Sequence, residues 1–277
     1  MNSKVLFIVE GENDEAEFIR YYFSRLRDEQ VTGDNISIFR YGCNIYNFYD
    51  CLVHNQKDGD FSSLEVLTVL KEAAEAERNG LPLKEDIALL DGSYTDIFLV
   101  FDLDNHDPTH SREEKERILN HLAFYFTDST DRGMLIVDSP MVEAYRDLSV
   151  RYDGEVVLNE DIELERSGDY KSIVGERGVG IPSLSKYSRD SFLITSHLHY
   201  KKFSLLLGLA IDRKNIDLFN CLSLLRIIEE KKEKGFLPVL GWISLVPLYL
   251  SKTALDLSLR VPANSGFHSL LIACGLS

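Results

Sequence analysis

Carboxylates gather at three places along this chain. Residues 97–107 read IFLVFDLDNHD, five apolar residues followed by Asp102, Asp104 and Asp107 with His106 among them. Residues 9–18 read VEGENDEAEF, with Glu10 directly behind an apolar run and Asp14 one helical turn later. Residues 138–145 read DSPMVEAY and supply Asp138, Ser139 and Glu143. Like charges at such density repel: two of them about 4 Å apart cost roughly 4 kcal/mol at a surface-like dielectric. A divalent cation is the simplest resolution. An all-oxygen donor set favours Mg²⁺ or Mn²⁺, ions that keep several waters and meet substrate phosphates.

For these groups to meet, the elements carrying them must share an edge. KVLFIV (4–9), NISIFRY (35–41), DIFLVFDLD (96–104) and GMLIVDSP (133–140) read as strands, the first and third as continuous apolar runs suited to a buried parallel sheet. Helical patterns lie between them: one begins after Gly11, with Asn13 as cap and Asp14, Glu15 and Glu17 suited to the helix dipole. Others cover about 44–54, 61–79 and 111–126, the last with Ser111 as N-cap. The alternation β-α-β-α-β-α-β predicts an α/β fold, a four-stranded parallel sheet flanked by helices with right-handed crossovers. Ligands of such sheets bind beyond the carboxyl ends of the strands, where Glu10, Asp102, Asp104 and the Asp138–Glu143 stretch would converge. Strand alternation would point Asp102 and Asp104 to the same side.

Past about residue 150 the pattern changes. A polar stretch that includes a hairpin gives way to helices near 185–210, 215–234, 239–257 and 264–275, so the expected division is a catalytic unit over 1–150, with an insertion at about 44–95, and a mainly helical region over 151–277. Of the 277 residues 44% are hydrophobic and 27% charged, enough for a sizeable core. The formal net charge of −15 hides an asymmetry: residues 1–170 hold 37 acidic against 16 basic side chains, and residues 171–277 hold 8 against 14. An acidic half suits divalent cations and a basic half suits phosphates. Cys43, Cys51, Cys221 and Cys274 have no C-x-x-C spacing and read as buried thiols. No apolar run nears the 18 or so residues needed to span a bilayer, and the opening residues turn acidic too early for a secretory signal, so the expectation is a cytoplasmic protein with no membrane partner.

VEGENDEAEF followed by the strand-borne VFDLDNHD resembles the Toprim domain, the metal-binding fold of topoisomerases, primases and OLD-type (overcoming lysogenization defect) nucleases. The resemblance covers about residues 4–148. It implies a Glu at the end of the first strand, matched by Glu10, and a D-x-D at the end of the third, matched by Asp102 and Asp104. In the OLD-type nucleases it implies further an acid in the first helical turn, matched by Asp14, and a Ser and a Glu after the fourth strand, matched more loosely by Ser139 and Glu143. A basic residue farther along is also implied, for which HLHYKKF offers Lys201 or Lys202. There is no G-x-x-x-x-G-K-[ST], so the ATPase appended in that group is missing here. By the same resemblance the chain is expected to be a Mg²⁺- or Mn²⁺-dependent nuclease acting on DNA or on RNA such as tRNA, and a phage-defence effector of abortive-infection type whose partner ATPase is encoded separately.

Other readings of the same residues compete. DLDNHDPTHSRE has acids at positions 1, 3 and 12 of a calcium loop, but Asp107 stands where that loop requires Gly. A phosphatase with an aspartyl nucleophile would leave Glu10 unexplained. In the basic half, SHLHYKKF sets Lys201 and Lys202 beside aromatics that could grip a phosphate backbone, while EEKKEKGF reads as a solvated helix end. LPVLGWISLVPLYL (237–250) is apolar nearly all round and fits either core or a surface for a homodimer or another partner. The alternative to an enzyme is a non-catalytic binding module of the same fold whose acidic face docks a basic protein partner.

Overall fold

The computed structural model describes residues 4–11, 14–26, 33–56, 59–76, 84–150, 156–177, 184–250 and 256. Asn13 and the helix expected at 264–275 lie outside these residues, as does most of 251–257. Strand β1 (Val5–Val9) leads into helix α1 (Asp14–Leu26), then β2 (Ile36–Arg40), α2 (Ile45–Asn55), α3 (Val66–Ala76), the short α4 (Lys84–Ile87), β3 (Asp96–Asp102) and α5 (Arg112–Tyr125). A two-residue β4 (Thr127–Asp128) precedes β5 (Gly133–Asp138). The sheet order is β2-β1-β3-β5-β4, with β4 antiparallel to β5 and every other pairing parallel. The expected α/β class with four parallel strands is therefore present, and the short edge strand β4 is an addition to it.

All five residues of β1 are buried, which is why that segment reads as one continuous apolar run. The two faces of the sheet carry different helices. Phe98 of β3 stacks on Phe7 (ring centroids 5.3 Å), and Phe7 meets Phe23 of α1. Phe101, three residues along the same strand, packs on Phe48 of α2 instead (5.1 Å). Helix α5 starts at Ser111 with a full capping box, Ser111 and Glu114 each satisfying the other's backbone N–H.

The second half opens with a hairpin, β6 (Leu148–Val150) and β7 (Val156–Leu158), inside the expected irregular stretch. Then come β8 (Ile162–Glu163), α6 (Tyr170–Arg177), α7 (Arg189–Leu206), α8 (Cys221–Lys232), β9 (Phe236–Leu237) and α9 (Val246–Leu250). β8 and β9 pair, and α6 is a helix that periodicity does not reveal. The change of pattern near residue 150 marks a change of element type, yet the core crosses it: one apolar cluster runs from Val5 through Phe192 of α7 to Trp242 and Leu248. LPVLGWISLVPLYL contributes to that core from Leu237 to Leu248. Ser139 and Leu240 exchange two backbone hydrogen bonds (3.0 and 2.7 Å), fastening this stretch to the end of β5. Among the described residues no helix is long and apolar enough to cross a membrane.

Candidate acidic site at the carboxyl edge of the sheet

Three strand ends bring their acids to one edge. The N–H of Glu10 continues the ladder to Val100 O (3.1 Å), and its own carboxylate Oε2 accepts from Asp102 N (3.0 Å), so the two residues are tied directly. Asp102 pairs in register with Asp138 on β5. Its Oδ1 accepts from Val142 N at 2.7 Å. Glu10, Asp102 and Asp104 line a cavity of about 220 Å³ together with His106, Met141 and Ser167.

Asp104 reaches that cavity by a different route from the one alternation predicts. Strand β3 ends at Asp102, and Asp104 takes a positive φ of 40°, a conformation that Asp tolerates better than most residues. Its Oδ2 accepts from Asn44 Nδ2 (2.8 Å), while Asn44 also caps α2 by accepting from Asn47 N (2.9 Å). The turn is pinned from below by Lys115 of α5, whose ammonium donates to Asn105 O (2.9 Å) and Asp107 O (2.5 Å). Asp107 itself turns away to close the loop, accepting from Thr109 N, His110 N and the Thr109 hydroxyl. His106 stands at the rim with its Nε2 against Ser167 Oγ (2.6 Å).

The electrostatics of the cluster follow from burial and crowding. Burial pushes Glu10 up to about 8; the hydrogen bond from the Asp102 N–H opposes it, and the Glu15 and Asp104 carboxylates add smaller upward pushes. Asp102 lies well above the ordinary carboxylate range, through burial first and then Glu10, Glu15, Asp138 and Glu143. Asp138 is 0% exposed and is raised for the same first reason. Its Oδ1 accepts from Ile243 N (2.9 Å), and its Oδ2 has no hydrogen-bond partner. Among the described residues no ammonium or guanidinium pairs with Glu10, Asp102, Asp104 or Asp138.

The other expected ligands are held differently. Asp14 and Glu143 do not line the cavity; the Lys171 ammonium of α6 stands between them, 2.8 Å from Asp14 Oδ2 and 2.7 Å from Glu143 Oε1. A lysine thus stands between two of the further acids that the resemblance implied, and the two carboxylates hold Lys171 protonated far into the alkaline range. Ser139 is buried and its hydroxyl donates to Pro238 O (2.7 Å), which turns it to the helical half instead of the cavity. Lys201 and Lys202 line a separate groove, where Lys202 pairs with Asp161 at 2.8 Å. The structure does not bring either lysine to the acidic cavity.

Two groups around the cavity, Glu15 and Lys171, were not assigned from sequence, and Asp138 was placed at a strand end without its partner. Glu15, read as a helix-dipole acid, is buried; its carboxylate folds back over Gly11, where any Cβ would collide with it. Asp138 sits at a strand end and its register with Asp102 becomes visible only in the sheet. Lys171 lies on a helix with almost no amphipathic pattern. For Glu15, the spacing of four from Gly11 was the one available signal.

Does this donor set fit a divalent cation? Among the described residues no three His, Cys, Asp or Glu side chains form a ready-made cage. Mg²⁺ does not need one, since it binds through one or two carboxylates and keeps waters for the rest. Glu10 and Asp102 each give one oxygen to a backbone N–H and leave the other for a cation. Both carboxylates are raised first by burial, and no ammonium or guanidinium among the described residues pairs with them. The chain matches no family model, no curated protein and no solved structure.

Proposed function

We propose that this chain is a metal-dependent phosphodiesterase of Toprim type, a nuclease acting on DNA or RNA. The observation that carries the reading is the convergence of Glu10, Asp102 and Asp104 on one cavity at the carboxyl edge of a parallel sheet, with no ammonium or guanidinium among the described residues paired to them. Glu10 and Asp102 would hold the cation, with Asp104 oriented toward it by Asn44. Bound there, Mg²⁺ or Mn²⁺ supplies charge neutralisation at the scissile phosphate and acidifies an attacking water.

The chain's own groups account for the remaining roles. In an alternative role Glu10 exchanges a proton with the leaving oxygen, leaving the cation to Asp102 and Asp104. Lys171, anchored by Asp14 and Glu143 and felt by the Glu15 carboxylate, is the lysine to which we assign the charge-stabilising role for which Lys201 or Lys202 was the sequence-based expectation. His106 at the rim orients incoming phosphate or base. By the Toprim resemblance, the biological setting we propose is phage defence by abortive infection, with a separately encoded ATPase as partner.

The test is incubation of purified protein with plasmid, single-stranded DNA and total tRNA, with Mg²⁺, with Mn²⁺ and with chelator. Cleavage that requires the cation and disappears in Glu10→Gln and Asp102→Asn, both still folded by circular dichroism, supports the enzyme. A Glu10→Ala protein that keeps its full effect in cells favours the alternative, a binding module that docks a basic partner through the same acids.

A further inference from the structure

The groove that holds the two displaced lysines has a chemistry of its own. It measures about 520 Å³, within the size range of small-molecule sites, and lies between α7, α8 and the segment joining β7 to β8. Three lysines line it, Lys201, Lys202 and Lys231, of which Lys202 has its ammonium buried and Lys201 lies exposed. Asp161 takes two of them, Lys202 at 2.8 Å and Lys231 at 2.5 Å. Lys201 is exposed and pairs with no carboxylate among the described residues. With Glu160 at the rim as the only other acid lining it, the groove is net cationic in a chain whose formal net charge is −15. That excess belongs to the basic half of the chain, residues 171–277, from which all three lysines come.

Beside the lysines stand two side chains that a soluble surface seldom displays together. Leu205 is 66% exposed and Phe236 is 41% exposed, and both line the groove. An open aromatic face next to ammonium groups suits a flat base whose phosphate the lysines hold. The site lies apart from the acidic cavity and shares no lining residue with it. We propose that this groove binds a mononucleotide, with the phosphate on Lys201 and Lys231 and the base against Phe236 and Leu205. This binding does not depend on the acidic site being catalytic.

The experiment is calorimetric titration of the full chain with AMP, adenosine and inorganic phosphate, repeated on Lys201→Glu and Phe236→Ala after each variant is shown to keep its circular dichroism spectrum and melting temperature. Both positions are exposed, which keeps the variants foldable. AMP should bind saturably and more tightly than adenosine or phosphate alone. Lys201→Glu should weaken it by about tenfold or more, and Phe236→Ala should weaken AMP while leaving phosphate unchanged. No binding of AMP, or equal binding by Lys201→Glu, overturns the proposal. A 5′-phosphorylated dinucleotide that binds more tightly than AMP and is lost in Lys201→Glu assigns the groove to a strand end and overturns the mononucleotide.

Discussion

Asp102 and Asp138 stand opposite each other in register on β3 and β5, and each accepts one backbone N–H from the chain that follows β5 or returns to it, Val142 N for Asp102 and Ile243 N for Asp138. Two acids on neighbouring strands, both shielded from water, cannot both ionise cheaply. Asp138, fully buried with an oxygen lacking any partner, is the one expected to keep its proton. Asp138→Asn should therefore leave stability at pH 8 unchanged or raised. Asp138→Ala, which orphans the Ile243 N–H, should cost about 1–3 kcal/mol. Urea denaturation of both variants at pH 8 checks the difference.

The raised carboxylates set the direction of the pH dependence. Glu10 moves from an ordinary 4.5 to about 8 in the fold, and Asp102, Asp138 and Glu15 move the same way. The folded state then binds more protons than the unfolded chain, so in chelator stability should fall as pH rises between about 4.5 and about 8. A cation competes for the deprotonated site, so adding Mn²⁺ or Mg²⁺ should raise the melting temperature most at the upper end of that window. At a concentration a hundredfold above its dissociation constant the gain is about 2.7 kcal/mol. Melting curves at pH 5 and pH 8, with and without the cation, decide it; equal cation shifts at both would count against a carboxylate seat.

Ser139 separates a ligand from a structural hydroxyl. Because it donates to Pro238 O inside the protein, Ser139→Ala should lower stability by about 1 kcal/mol and leave the cation-dependent melting shift intact. Loss of that shift in a folded Ser139→Ala protein would restore the hydroxyl to the metal site.

Lys171 spans Asp14 and Glu143, of which Glu143 is only 3% exposed. Its own side chain is 62% exposed, so solvent screens much of the pairing, and Lys171→Met should cost on the order of 1 kcal/mol. The same change should reduce cleavage strongly, by about a hundredfold for a lost charge stabiliser, whereas Lys201→Met should not. Initial rates on the preferred substrate of the nuclease assay compare the two.

Much of this molecule was readable before folding. Continuous apolar runs at 4–9 and 96–102 betray buried parallel strands, because burial on both faces leaves no polar alternation. Ser111 and the helical spacing after Gly11 and over about 44–54 mark helices that do form. Acids written directly after such runs must land on the carboxyl edge, and Glu10 and Asp102 do so. What pattern could not supply was anything decided by packing between distant segments. Lys171, on a helix with little periodicity, meets Asp14 from 157 residues away. The Ser139 hydroxyl is taken by Pro238, 99 residues on. Asp104 follows a left-handed turn in place of the strand alternation, held by Asn44 across 60 residues. Sequence by itself determined which side chains are acidic and on which strand ends they ride, because those are local properties of charge and hydrophobic period. Only the tertiary structure decided which acids keep company with a lysine, which are left without one, and which are turned away, because a charge finds its partner through the packing of the whole chain.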